Sequence, residues 1–335
     1  VDSWLIWQLT GGAVHATDHT NASRTMLYDI DAQGWSDELL SLFGIPRAVL
    51  PEVRRSSGHF GTSRGDVLGL EAPILGVAGD QQSALFGQGC VAAGEAKNTY
   101  GTGAFLLLNC GAARPAGGGG LLTTIACDAS GGPAYALEGA IFIAGAAVQW
   151  LRDGLGLIAT AAETEAMARS VSDTGGVVFV PALTGLGAPD WEPRARGTIL
   201  GLTRGTTRAH LARAALEAMC HGTADVLDLM RQRSGVPFDR LRVDGGASAN
   251  DWLMQHQADV LGVPVERPAN VETTAMGAAG LAGLAAGVWA SAADFVRATA
   301  MRRFDPSADR EAMASGRRAW RRAVRATVSW ARDEG

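Results

Sequence analysis

A mixed α/β fold in two domains is predicted by three observations. The chain has 335 residues, and at roughly 150 residues per domain that is enough for about two domains with cores of their own. Hydrophobic residues make up 47% and charged residues 19%, a globular balance far from that of a disordered chain. Short apolar runs bounded by Gly and Pro alternate with longer stretches of helical spacing. The net charge of −5 and the lack of a Lys/Arg run exclude a nucleic-acid partner from the expectations.

The elements follow in chain order. Trp4-Leu5-Ile6-Trp7 reads as the interior of a domain, without the basic and apolar pattern of a secretory leader. After a turn at Gly11-Gly12, a helix is predicted over Asp37–Leu42, stopped by Gly44 and Pro46. Ser56–Glu71, rich in Gly, Ser and Arg, predicts an exposed loop. Pro73–Ala78 predicts a buried strand that delivers Gly79-Asp80-Gln81-Gln82 at its carboxyl end, where open α/β sheets bind ligands. A helix over Ser83–Cys90 and a hinge at Ala92–Gly94 divide the chain into domains 1–88 and 89–335. Lys97–Tyr100 and Ala104–Asn109 flank Gly101-Thr102-Gly103 as a β-hairpin, and a second hairpin is predicted around the four-glycine loop Pro115–Gly120. Helices are then expected over 141–152, 163–170, 210–233, 251–261, 274–289 and 317–330, with strands at 177–180 and 241–243. Thr273–Ala293 is uncharged but built of Ala and Gly, with little of the Leu and Ile that favour insertion, and predicts a closely packed internal helix in place of a membrane span.

Lys97 is the one lysine of the chain and stands between Ala96 and Asn98, so the G-K-[ST] form of phosphate binding is excluded. The four cysteines are widely spaced, which predicts reduced, buried thiols and a cytoplasmic protein. The six histidines form neither H-E-x-x-H nor H-x-H, so no metal site made of protein nitrogen and sulfur ligands is expected. Three glycine-centred sites could carry chemistry. Asp80 at a strand end suits a general base, and equally a helix N-cap. Gly101-Thr102-Gly103 lets amides and a hydroxyl converge on an anion, and is also plain hairpin chemistry; the neighbouring Phe105 suits either a core or a pocket wall. Asp244-Gly245-Gly246 before a helix favours phosphate or nucleotide, or is simply a tight turn, with a positive φ expected at Gly246.

Together these sites and their surroundings resemble the glycerol kinases of the FGGY carbohydrate kinase family. The blocks Val1 to Trp7, Thr17-Asp18 with Thr20 to Thr25, Gly79 to Gln82, Asn98 to Gly103, Ala136 to Gly139 and Arg242 to Ala247 occur in the family's order. Gly197 to Leu202, followed by His210-Leu211 and Ala214 to Glu217, fits its second signature. The resemblance implies an actin-like, ribonuclease-H-like ATPase fold whose two α/β domains close over ATP and a polyol. It implies ATP-dependent phosphorylation of glycerol to sn-glycerol 3-phosphate by a homo-oligomer, a dimer or tetramer, with no membrane insertion. Asp80 would be the catalytic base with Mg²⁺ near it. Asp80, Gln81 and Phe105 would line the glycerol pocket, Gly101, Thr102 and Gly103 would form a phosphate hairpin, and Gly145, Gln149, Gly245, Gly246 and Asn250 would meet the nucleotide. The rival readings are another FGGY sugar kinase, against which D-Q-Q followed by Ser83 to Gly87 argues, and a non-catalytic nucleotide-binding remnant. The family's first-domain Gly-Thr-rich phosphate loop and its Arg-Glu polyol grip do not occur, so the chain reads as the C-terminal part of such an enzyme, inactive by itself. Ala104 stands where Cys is common, and Gly61–Gly69 lacks the Gly-Gly-Arg pattern of members that bind a bisphosphate inhibitor.

Overall fold

The structure, a computed structural model, describes residues 1–297 and 299–333. Its centre is a mixed sheet of β1 (Ala96–Tyr100), β2 (Ala104–Gly111), β3 (Leu122–Cys127), β4 (Pro133–Ile141), β5 (Leu241–Asp244), β6 (Val265–Pro268) and β7 (Met301–Phe304). The strand order is β7-β6-β5-β1-β2-β4-β3, with β5 parallel to β1 and β6 and the other pairs antiparallel.

Successive side chains of a strand point to opposite faces, and here the two faces differ in chemistry. Ala96, Tyr100, Leu106 and Leu108 join the main core together with Met219, Cys220 and Leu227. The register Lys97↔Leu107↔Glu138 and Thr99↔Phe105 places those side chains together on the other face.

Six helices position the candidate sites: α1 (Asp80–Gly87), α2 (Gly145–Gln149), α3 (Arg208–Ser234), α4 (Asp251–Leu261), α5 (Thr273–Ala285) and α6 (Arg310–Arg332). Thr207 and His210 form a reciprocal cap at the start of α3, and Gly235 ends it in the left-handed region. The helix over Asp37–Phe43 ends at Gly44 in the same way, as its sequence predicts. Helices α1 and α5 meet backbone to backbone: a Cβ on Gly277 would lie 2.6 Å from the Ser83 carbonyl carbon, and one on Gly87 would lie 2.7 Å from Gly277 N. Ser83 Oγ donates to Thr274 O at 2.7 Å across the same seam. The uncharged Ala/Gly segment is a closely packed helix over Thr273–Ala285 only, ending short of the expected residue 289, and Ala292 opens another helix; among the described residues no helix is long and apolar enough to cross a membrane.

Four expectations are corrected. Pro73–Ala78 is not a sheet strand; it makes only isolated bridges, Thr62↔Pro73 and Ser57↔Gly76. Pro73 has no N–H to give, and Gly76 lies so close to α5 that a Cβ there would sit 2.6 Å from Ala278 O. The loop Pro115–Gly120 does not close a hairpin, because β2 pairs with β4 and not with β3. The hairpin is β3–β4, whose turn is held by Asp128 Oδ1 accepting from Ser130 N and Gly132 N, both at 2.8 Å. The helix expected from Ile141 starts at Gly145, since Ile141 completes β4 opposite Ala104, and Trp150–Gly154 is a π-helical turn. Ser56–Glu71 is not simply exposed: Ser56, Phe60 and Ser63 are buried, Phe60 against Ile6 and Ala16.

Candidate active site

Asp80 is the first residue of α1 and follows Gly79, the cap residue, so it is not the cap itself. Its carboxylate is exposed, and Oδ1 accepts from Gln81 N at 2.8 Å. A negative charge in the first turn suits the positive end of the helix. The approach to Asp80 is fixed from below by Asp18, which is fully buried. Asp18 accepts from Thr20 Oγ1 and Ser56 Oγ at 2.6 Å and from Asn21 Nδ2 at 2.7 Å, and Thr20 Oγ1 in turn accepts from Gly79 N at 2.8 Å.

Lys97 connects Asp80's neighbour to the sheet. Its buried ammonium donates to Gln81 Oε1 and, at 2.7 Å, to Thr99 Oγ1. Burial pushes the Lys97 pKa down to about 8, against the opposing pull of Asp244, Glu138 and Asp80. Phe105, opposite Thr99 on β2, is 39% exposed, so its ring is available as a wall and is not core. Glu138 is held by a bidentate pair with Arg24 at 2.9 and 3.1 Å. Asp244, at the end of β5 opposite Thr99, is buried; Oδ2 accepts from Thr273 Oγ1, and Oδ1 has no hydrogen-bond partner. In the sequence Lys97 stands out only as a rarity and Asp244 only as part of a glycine turn. Neither residue type signals that the fold will bring Asp80 and Asp244 within electrostatic reach of Lys97.

Four residues of strand run from Lys97 to Gly101, roughly 13 Å at 3.3 Å per residue, and lead to a cavity of ≈540 Å³. Gly101, Thr102, Gly145, Gln149, Gly246 and Asn250 all line it. Arg152, Thr164 and Glu165 also line it and were not anticipated. Its size is that of a small-molecule site. The hairpin is bolted to α2: Gly145 N donates to Gly101 O at 3.0 Å, and Ala144 N and Ala146 N donate to Thr102 O at 2.8 and 3.0 Å. Those amides therefore orient the hairpin and are not free for an anion. Asn250 caps α4 through Oδ1, which accepts from Leu253 N at 2.9 Å, while Nδ2 reaches Thr164 Oγ1 at 3.3 Å.

Gly103 and Gly245 do not line the cavity; they support it. A Cβ on Gly103 would lie 3.0 Å from Phe142 O, and Gly245 backs onto Tyr100 with φ 82°. The positive φ expected at Gly246 belongs to Gly245, and a Cβ on Gly246 would meet nothing within 4 Å.

With this geometry in place, the comparisons give the chain its family. The sequence models of the FGGY family of carbohydrate kinases match at residues 1–87 for the N-terminal domain and 96–286 for the C-terminal domain. The chain belongs to the FGGY family of carbohydrate kinases. Glycerol kinases of Rhodopirellula baltica and Carboxydothermus hydrogenoformans are each 56% identical to it over 100% of its length. The chain spans 62% of the first of these relatives and 67% of the second. Among solved structures, Plasmodium falciparum glycerol kinase with ADP superposes with a TM-score of 0.90 at 38% identity, covering 97% of this chain and 65% of that one. A xylulose kinase from Lactobacillus acidophilus, TM-score 0.85 at 20% identity over 99% of this chain and 67% of that one, shares the fold. The expected actin-like, ribonuclease-H-like architecture stands.

Proposed function

We propose that the protein containing this chain transfers the γ-phosphoryl group of ATP to a terminal hydroxyl of glycerol. What carries the reading is one cavity gathering Gly101, Thr102, Gly145, Gln149, Gly246 and Asn250 in a chain 56% identical to glycerol kinases. The hydroxyl oxygen bonds to the γ-phosphorus as the bond to the β-phosphate bridge breaks and ADP leaves with the electron pair. Asp80, exposed and fixed at the start of α1, accepts the hydroxyl proton. Gln81, pinned by Lys97, and the open ring of Phe105 position the polyol. Thr102 on its bolted hairpin faces the phosphates, and Gln149, Gly246 and Asn250 hold the nucleoside.

Magnesium fits the donor set, which is oxygen: the exposed Asp80 carboxylate and the unpartnered Oδ1 of Asp244. Bound there, it would spread the charge of the transferring phosphoryl group. The domain division at 88/89 is retained as part of this proposal; the two family matches lie on either side of it. Four buried free thiols support a reducing, cytoplasmic location.

The test is ADP release by the enzyme with glycerol, xylulose and gluconate as acceptors. Glycerol should exceed the sugars by at least 100-fold in kcat/KM. Faster turnover of either sugar, or nucleotide binding with no transfer to any acceptor, overturns the reading. The 335-residue chain by itself is expected to bind ADP without turning over glycerol, and measurable turnover would refute that part.

A further inference from the structure

Away from the cleft, three side chains on two helices come together in a way the phosphoryl transfer does not use. Glu217 and His221 stand one turn apart on the same face of α3, and α4 packs His256 against them. One ligand-capable atom from each of the three lies within 4.8 Å of the other two. His221 is 6% and His256 9% exposed.

Each ring keeps one buried nitrogen with no hydrogen-bond partner, Nδ1 of His221 and Nε2 of His256. A buried polar atom left unpaired forfeits the hydrogen bond it would make with water. The rings are nevertheless well held. Trp320 stacks on His221 with centroids 5.7 Å apart, Trp252 stacks on His256 at 4.8 Å, and the two imidazoles meet edge to face at 6.3 Å. Glu217 Oε1 accepts from Arg213 Nε at 2.9 Å, which leaves Oε2 for another partner. A separate cavity of ≈90 Å³, walled by Glu217, His221, Gly316 and Trp320, lies on the Glu217–His221 side of the cluster, and His256 does not line it.

Two imidazoles and one carboxylate are the donor set of a zinc-type site, unlike the all-oxygen sets that magnesium and calcium take. We propose that Glu217, His221 and His256 bind a divalent transition-metal ion, Zn²⁺ foremost, which ties α3 to α4. Ligands about 2.0–2.1 Å from a tetrahedral ion stand roughly 3.3 Å from one another, so closure requires the side chains to draw in by about an ångström. The ion would brace one wall of the larger cavity, to which the same two helices contribute Leu216 and Leu253.

The experiment is titration of the purified, chelator-treated protein with Co²⁺ and then Zn²⁺, read by visible absorption, calorimetry and thermal melting. One equivalent of Co²⁺ should give the intense bands of a four-coordinate site. Zn²⁺ should displace it and raise the melting temperature, while Mg²⁺ at the same concentration does neither. Glu217→Gln keeps the volume and the Arg213 contact, and His256→Gln removes an imidazole; each should weaken Zn²⁺ binding at least tenfold. Circular dichroism of the metal-free variants separates lost ligation from lost folding. Folded variants that bind Zn²⁺ like the parent, or a parent with no stoichiometric site, overturn the proposal.

Discussion

Two alanine substitutions in one cavity wall should separate nucleotide contact from structural support. A Cβ on Gly246 meets nothing within 4 Å, and its φ is not in the left-handed region. Gly246→Ala should therefore gain about 0.4–1 kcal/mol by restricting the unfolded chain. Its methyl group projects into the space where the nucleotide would lie, and accommodating it should cost binding about 1–3 kcal/mol, a Kd for ADP roughly 5- to 150-fold higher. Gly145 is the opposite case: a Cβ there would sit 2.6 Å from Gly101 O, a backbone atom of the hairpin. Gly145→Ala should destabilise the fold by about 1–3 kcal/mol as the hairpin shifts, and should weaken ADP as well. Calorimetric Kd values for ADP and melting temperatures of both variants make the assay. If Gly246→Ala binds ADP within twofold of the parent, or melts as early as Gly145→Ala, the cavity is not the nucleotide site or its lining plays another part.

In the full-length enzyme, Asp80→Asn should lower kcat by on the order of 10²–10⁴ with little change in ADP affinity, and near-normal turnover would remove Asp80 as the base. Phe105→Ala, at a 39% exposed position, should raise the KM for glycerol more than that for ATP, and equal shifts in the two constants would show that the ring does not wall the polyol pocket. Lys97 carries a pKa of about 8 in the fold against 10.5 in the unfolded chain. Between those values the unfolded state holds more protons, so folding gains stability as pH rises. The gain should approach about 3 kcal/mol relative to Lys97→Met between pH 7.5 and 10.5. Parallel stability curves for parent and variant across that window would contradict it.

Much of the fold was legible where local chemistry decides the outcome. Gly44 stops its helix, Gly101-Thr102-Gly103 turns its hairpin and Asp244-Gly245-Gly246 closes β5 because backbone conformation at those points depends on the residues themselves. Pairing partners were not legible. The apolar runs of β2, β3 and β4 look alike, and only the assembled sheet puts β4 between the other two. Pro73–Ala78 has a strand's composition, yet α5 occupies the space beside it. Six of the eight residues expected at the nucleotide line one cavity, whereas Lys97, Asp244, Arg152 and Glu165 enter the site through register and helix packing. His221 and His256 stand far apart in sequence, and the spacing rules for metal sites see only the Glu217–His221 half of their cluster.

The glycine seam between α1 and α5 sets an order of events. Asp80 opens α1, and that helix is seated against a segment far along the chain, as the Ser83–Thr274 hydrogen bond at a separation of 191 residues shows. Contacts so distant in sequence form late and are entropically costly to close. A ribosome releasing this chain from its N-terminus exposes Asp80 long before the partner helix emerges, and until then nothing can fill the side-chain-free track along Gly87. A messenger cut short before Thr273 would encode every residue proposed to touch nucleotide or polyol and still lack the helix that seats Asp80.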